Sequence, residues 1–361
     1  MKKILIIDLG KSYGGAEKLI ENIINELKDN IEFTLLLDKN GEFLQRSNSL
    51  NDFKIITFNN NIKTLIINII KIIKLVKYES YDVVHCHGTP SNLFGIILKR
   101  VLKIRVISTI HSDLEHEFTG KKKRIYLRIE KETVKSFDYV TVVSKNLQQK
   151  LNNRCNSKSR NNIKLIYNGI NVNTHIEPEF LGNEEFKILF VGRLVEIKNI
   201  PLLLNTLAKI RKKYTNFKCY IIGEGDEENK LKELTKSLKL EKNVCFLGFK
   251  NNIEGYMKSC DVLIMTSKME GIPLTIIEAF ANKLPVVSTE VGGVKEMISH
   301  NETGILFKSE SAVELEKILL DIIARKYNLN DISENAYKEY KEKWSSKVMS
   351  EKYNKLYSMK E

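Results

Sequence analysis

Short runs rich in Ile, Val and Leu alternate along the chain with longer stretches whose apolar residues recur every three or four positions. That rhythm predicts parallel strands covered on both faces by amphipathic helices, an α/β class. In the first half, strands are expected at residues 3–8, 32–37, 54–58, 82–85, 105–110, 139–143 and 163–166, enough for one doubly wound domain. A polar stretch over 171–185 carries Pro178 and Gly182 without an apolar period and reads as a linker. The alternation then restarts, with strands expected at 187–191, 218–222, 244–247, 262–265 and 285–288. Helices are expected between them at 200–214, 227–238, 274–282 and 312–324, followed by a charged, tyrosine-rich helical tail through 344–359.

Two apolar stretches invite a membrane reading. The opening run MKKILIIDLG is cut by Asp8 and no small-residue cleavage site follows, so it reads as a first strand rather than a signal peptide. The greasiest stretch, 65–76, is interrupted by Lys71 and Lys74, short of the ~20 apolar residues that a span requires. The basic amphipathic helix over 62–78 has an apolar stripe wide enough for core packing, which is preferred here over membrane insertion.

The length of 361 residues exceeds what one hydrophobic core of ~250 to 300 residues supports, so two domains are expected. With 42% hydrophobic and 29% charged residues, the composition excludes a disordered or fibrous chain. Five cysteines lack any C-x-x-C pair, and Cys86, Cys219 and Cys245 sit in apolar runs as small hydrophobes, which fits a reducing cytosol. The net charge of +13 is lopsided. Residues 1–175 hold 29 Lys and Arg against 17 Asp and Glu, and the remainder 29 against 28. The first half therefore suits a polyanion, either nucleic acid or an anionic membrane surface.

In open parallel sheets, ligands collect where glycine-rich turns leave strand ends and enter helices. The first such turn holds Gly10, Gly14 and Gly15, followed by Ala16 and Glu17. It is neither a Walker A loop nor a G-x-G-x-x-G fingerprint. It is a backbone that can approach a ligand closely, or simply a turn needing positive φ. After the strand ending at Val191, Gly192 and Arg193 precede Lys198. An arginine fork and an ammonium there could neutralise a diphosphate, each worth about 4 kcal/mol at ~4 Å before desolvation; the alternative is a surface pair. The segment 270–280 separates two acids. Gly271 and Pro273 keep Glu270 in a loop, whereas Glu278 rides on the helix beginning near Pro273, whose free amides at Leu274 and Thr275 could meet a phosphate. Two solvated carboxylates beside a helix cap are the other reading. His85, His87 and His111 stand at strand ends of the basic half; strand alternation puts Cys86 opposite its neighbours, so a zinc site is not expected. His111 suits polarising a sugar or phosphate group, or is a satisfied histidine. The run Lys121 to Arg124 opens a helix as a solvated face.

Taken together, these residues resemble glycosyltransferase family 4. The resemblance is carried by the Glu270–Glu278 pair with Ala281, Pro285 to Thr289 and Gly292 to Glu296, and by Gly14 to Glu17, Asn168 to Ile170, Gly192 to Leu194 with Lys198, Gly223 to Gly225 and Phe246 to Gly248, all in the family's order. Lys283 departs from the family's usual glycine, and Ser112-Asp113 lies where members vary. The resemblance implies a GT-B fold, two doubly wound Rossmann-like domains facing across a cleft: 1–172 binding the acceptor, 183–342 binding a nucleotide-sugar, and 343–361 as a helix returning to the first domain. It implies a retaining hexosyltransferase with Glu270, Arg193, Lys198 and His111 in catalysis. Donor contacts would come from Gly15, Gly192, Arg193, Lys198, Gly271, Ile272, Pro273, Leu274, Thr275 and Glu278, with Gly14, His87 and His111 on the acceptor side. No cofactor and no metal are expected, since no D-x-D sequence occurs; a UDP-sugar is favoured over a GDP-sugar as co-substrate. The expected partners are that donor, a glycan or lipid-linked acceptor and the anionic inner face of the cell membrane, with a cytoplasmic or peripheral location and no nucleic acid. An NAD-dependent oxidoreductase lacks its complete glycine fingerprint here, and a nucleic-acid-binding module lacks interleaved aromatic and basic residues.

Overall fold

Strands apolar on both faces need helices on both sides, and in the computed structural model they form two such sandwiches. The structure describes residues 1–46, 53–59, 64–155, 162–172, 176–183 and 186–359, without the side chains of Arg46 and His116. The chain divides into a unit of Met1–Ile170 with Ser346–Glu361 and a unit of Asn171–Ser345.

The first unit contains β1 (Lys2–Asp8), β2 (Ile31–Asp38), β3 (Lys54–Phe58), β4 (Val83–His87), β5 (Arg105–Ile110), β6 (Tyr139–Val142) and β7 (Ile163–Leu165). Its helices are α1 (Gly15–Leu27), α2 (Glu42–Arg46), α3 (Leu65–Glu79), α4 (Gly88–Leu102), α5 (Leu114–Glu117), α6 (Gly120–Ser136) and α7 (Lys145–Cys155). The sheet runs β3-β2-β1-β4-β5-β6-β7, all parallel, so the order reverses between β1 and β4. Register there sets Asp8 beside His87, and His87 beside Thr109 of β5. One face of the sheet is covered by α3, α4, α6 and α7 through Ile72, Phe94, Val134 and Leu147.

The second unit contains β8 (Phe186–Val191), β9 (Phe217–Ile222), β10 (Val244–Gly248), β11 (Val262–Met265), β12 (Val286–Thr289) and β13 (Ile305–Phe307), ordered β10-β9-β8-β11-β12-β13. Its helices are α8 (Ile200–Arg211), α9 (Glu228–Ser237), α10 (Glu254–Ser259), α11 (Leu274–Ala281), α12 (Val294–Met297), α13 (Ala312–Ile323) and α14 (Leu329–Glu339). Here the order reverses between β8 and β11. The last helix, α15 (Ser346–Ser358), belongs to the first unit, where Met349, Tyr353, Leu356 and Tyr357 join α1 in covering the other face of its sheet.

One expectation needs amending, and two elements went unforeseen. The helix expected over 62–78 begins at Leu65, residues 62–63 lying outside the described ones, and it is core on one side only: Ile72 and Val76 are buried, whereas Ile66, Ile67 and Ile70 face solvent. A three-residue strand, β13, was too short to show alternation, and α14 occupies residues 329–339, between the helix expected at 312–324 and the tail expected at 344–359. Of the stretch read as a linker, residues 173–175 and 184–185 lie outside the described ones, and the rest carries neither helix nor strand. Among the described residues no helix is long and apolar enough to cross a membrane.

Candidate functional site

In the second unit β8 and β11 are neighbours on either side of the order reversal, and the loops leaving their carboxyl ends carry most of the expected donor residues. After β8, Gly192 N–H donates to the Ile222 carbonyl at 3.0 Å and Leu194 N–H to the Glu224 carbonyl at 2.8 Å. Gly223, at φ +135°, presses against this turn so closely that a Cβ would lie 1.9 Å from the Gly192 carbonyl oxygen. The turn directs Arg193 outward. That residue is exposed and has no ion-pair partner among the described residues.

Lys198 differs from Arg193. It ends the 3-10 turn Glu196–Lys198, and its Nζ donates to Glu270 Oε1 at 2.5 Å; Ser267 Oγ donates to the same oxygen at 2.6 Å. The two charged side chains are only 19% and 11% exposed, so their attraction is poorly screened. Of the two readings open for Lys198, a diphosphate contact or an ion pair, the structure shows it ion-paired with Glu270. The loops are stitched together beneath the pair, Thr266 Oγ1 donating to the Lys198 carbonyl at 2.9 Å and Lys268 N–H to the Ile197 carbonyl at 2.8 Å.

Gly271, Ile272 and Pro273 turn the chain from Glu270 into α11. Pro273 is extended, at φ −71° and ψ 119°, and caps the helix, which leaves the first-turn amides of Leu274 and Thr275 without carbonyls of a preceding turn. Glu278 lies one turn further and is buried. Gly292, at φ +51°, backs the loop: its N-terminal neighbourhood is so tight that a Cβ would lie 1.9 Å from the Glu270 carbonyl oxygen, to which Gly293 N–H donates at 3.2 Å. Lys283, where the family usually has glycine, adopts the left-handed φ of +55° a glycine would favour, and its Nζ reaches Glu334 of α14 at 2.5 Å.

Gly14, Gly15, His87 and His111 stand in the first unit instead, the glycines where β1 leads into α1 and the histidines, together, at the carboxyl ends of β4 and β5. Gly14 caps α1, and its amide donates to Glu17 Oε2 at 2.7 Å, while Asp8 Oδ1 accepts from Gly10 N–H at 3.0 Å. Burial, then the charge of Glu17, pushes the Asp8 carboxyl up to about 7; burial also raises Glu17. The two acids lie side by side beneath the glycine loop, Asp8 Oδ1 and Glu17 Oε1 both within 3.3 Å of where a Cβ on Gly10 would stand, and Asp8 Oδ2 is buried without a hydrogen-bond partner among the described residues. Neither was assigned a site role from sequence, although an acid ending an apolar strand run, as Asp8 does, is a visible signal. His87 Nδ1 and His111 Nε2 lie 3.1 Å apart, and the rings stack with centroids 5.3 Å apart. His87 Nε2 and His111 Nδ1 are buried without a hydrogen-bond partner among the described residues. His85 is fully satisfied, by Tyr357 OH at 2.7 Å and Thr109 Oγ1 at 2.8 Å. Burial drives His85 down to about 3, His111 to about 4 and His87 well below its ordinary value, so all three rings are neutral at pH 7. Cys86 faces the opposite side of β4, packed against Gly95. Asp113 caps α5 and pairs with Lys150 at 2.9 Å and Arg154 at 3.1 Å, a structural anchor for the loop after His111.

Residues 13–174 match the profile of glycosyltransferase family 4, and residues 171–339 that of glycosyl transferases group 1. An uncharacterised glycosyltransferase of Methanocaldococcus jannaschii is 31% identical over 284 residues, covering 73% of this chain and 72% of that protein. An O-antigen biosynthesis glycosyltransferase of Escherichia coli is 26% identical over 372 residues, covering 99% and 98%. Among solved structures, Anabaena HepE in complex with UDP matches with a TM-score of 0.82 at 20% identity, covering 99% of this chain and 100% of that one. Two parallel α/β sheets of 7 and 6 strands are thus the architecture of the GT-B glycosyltransferases. Within that class, the chain belongs to glycosyltransferase family 4, a family of enzymes. Neither the oxidoreductase nor the nucleic-acid alternative is favoured by these relationships.

Proposed function

We propose that the chain transfers a hexose from a UDP-sugar to a hydroxyl of a glycan or lipid-linked acceptor, with retention of anomeric configuration and without a metal, in cell-surface polysaccharide synthesis. The observation that carries this reading is the gathering, at one sheet edge, of an exposed Arg193, the Lys198–Glu270 pair and the free amides opening α11. Cations and amides so placed stabilise the charge that develops on a departing diphosphate. In this reading Arg193 and Lys198 hold the diphosphate, Gly192 and residues 271–275 bring backbone amides close, Glu270 meets sugar hydroxyls and Glu278 the ribose.

The first unit, residues 1–172 in the sequence division, would supply the acceptor side: Gly15 would lie near the reacting phosphate, Gly14 would offer a backbone without a Cβ to the acceptor, and His87 and His111, being neutral, would offer hydrogen bonds to hydroxyls rather than charge. Retention would follow from attack on the face the leaving phosphate occupies, that phosphate taking the acceptor proton. The absence of a D-x-D sequence supports the metal-free step. UDP in the HepE complex and the O-antigen role of the Escherichia coli relative support the donor base and the pathway class. The basic first half supports a cytoplasmic enzyme held peripherally at the anionic inner membrane surface.

Hydrolysis of a panel of UDP-, GDP- and ADP-sugars tests the donor: turnover of the UDP compounds is expected, and preference for another base would overturn that choice. The anomeric proton coupling of the product, read by NMR, tests the stereochemistry; an inverted linkage defeats retention.

A further inference from the structure

The face of α3 turned to solvent is two-toned. Ile66, Ile67 and Ile70, at 72%, 54% and 49% exposure, occupy its first half. Lys71, Lys74 and Lys77 are exposed in the second half, with Tyr78 at its end. At 100° per residue these seven positions fall within an arc of about 140°, a single stripe. In a parallel sheet a helix starts at the carboxyl end of the strand it follows, so the isoleucines lie toward the edge that carries the glycine loop, His87 and His111.

The same layer repeats the pattern. α6 packs on the same sheet face as α3, and it also sets out from that edge. Lys121, Lys122 and Arg124 of its first turns are exposed beside an exposed Ile125. The acids of the two helices are committed elsewhere: Glu79 pairs with Lys54 at 2.7 Å, Glu132 with Arg100, and Glu130 is buried against Arg154 at 3.2 Å. What remains toward solvent is apolar and positive, the chemistry of a helix lying in a bilayer interface with lysines among anionic headgroups.

We infer that α3 docks the first unit on an anionic lipid surface, its isoleucine ridge entering the headgroup boundary while its own lysines and the start of α6 meet the phosphates. This rests on the membrane reading above and adds to it the element, the depth and the direction: the carboxyl edge of the sheet is set toward the surface where a lipid-linked acceptor would lie.

The test uses Ile67→Trp, with Val313→Trp, exposed on α13 of the second unit, as control; the native Trp344 is fully buried and serves as background. On vesicles of phosphatidylglycerol in phosphatidylcholine at low salt, Ile67→Trp should shift its emission to the blue and be quenched by brominated acyl chains, and Val313→Trp should do neither. Paired Ile66→Asn and Ile70→Asn should weaken vesicle partitioning about tenfold or more, and each of Lys71→Gln, Lys74→Gln and Lys77→Gln about fivefold. UDP affinity should be unchanged throughout. Failure to bind any anionic vesicle would overturn the membrane reading and this inference together. Vesicle binding without quenching of Ile67→Trp would leave that reading standing and overturn this one. Self-association abolished by the isoleucine changes would reassign the ridge to a second copy, and nucleic-acid binding that displaces the vesicles would reassign the lysines.

Discussion

Lys198 and Glu270 illustrate how a residue's role depends on its nearest neighbour. Each carries a charge the other partly cancels, and Ser267 adds a third group to the same oxygen. Removing one member should therefore act in opposite directions on diphosphate binding. Lys198→Met is expected to weaken UDP binding about tenfold and Glu270→Gln to leave it unchanged or tighter, because the lysine is then released from its counter-charge. Titration calorimetry of both variants and the double variant checks this; equal weakening by both would mean that the pair binds as a unit. His85 gives a second residue-scale expectation. Its folded pKa of about 3 lies below the ~6.5 of an unfolded histidine, so its contribution to stability is present above ~6.5 and is lost as pH falls toward 3. The slope is about 1.4 kcal/mol per pH unit for one such ring. Asp8 works the other way, its contribution being full below ~4 and lost as pH rises through about 7. Comparing urea melts of the native chain and His85→Gln across pH 7 to 4 isolates the histidine, and the variant should show the shallower acid limb.

At the scale of elements, the loops rather than the helices decide where these side chains point. Gly292 allows β12 to hand over to α12 directly against the Glu270 carbonyl. Gly292→Ala should cost about 2 kcal/mol or more, from the left-handed backbone and the 1.9 Å approach together, and should weaken UDP binding by displacing the Glu270 loop. A thermal melt with parallel calorimetry measures both. The strands were legible because apolar runs buried on both faces leave a plain mark, and Lys54–Phe58, Arg105–Ile110 and Val262–Met265 fall where their pattern put them. What escaped was set by partners distant in sequence. No local pattern tells Ile72, which meets the sheet, from Ile66 and Ile70, which do not. Likewise, Arg193 and Lys198 look alike in sequence, and Glu270, 72 residues beyond Lys198, separates the paired lysine from an arginine without an ion-pair partner among the described residues.

At the scale of the whole molecule, the chain completes its first unit with its last helix. Met349, Tyr353, Leu356 and Tyr357 are buried in that unit, and at ~1.5 to 3 kcal/mol each their burial rivals the ~5 to 15 kcal/mol by which a domain is stable. Deleting residues 346–361 should therefore unfold the first unit while the second keeps its protection, a difference that amide hydrogen exchange resolves unit by unit. The two tyrosine hydroxyls also reach inward, Tyr357 to His85 and Tyr353 to Thr109 at 3.0 Å, which ties the histidine array to the same helix. During synthesis on a ribosome, the first sheet must then wait, with α1 still bare along one side, until every residue of the second unit has emerged. A nascent chain stalled before α15 would expose that greasy flank to chaperones, and an assembled histidine array would certify that translation had passed through both halves of the protein.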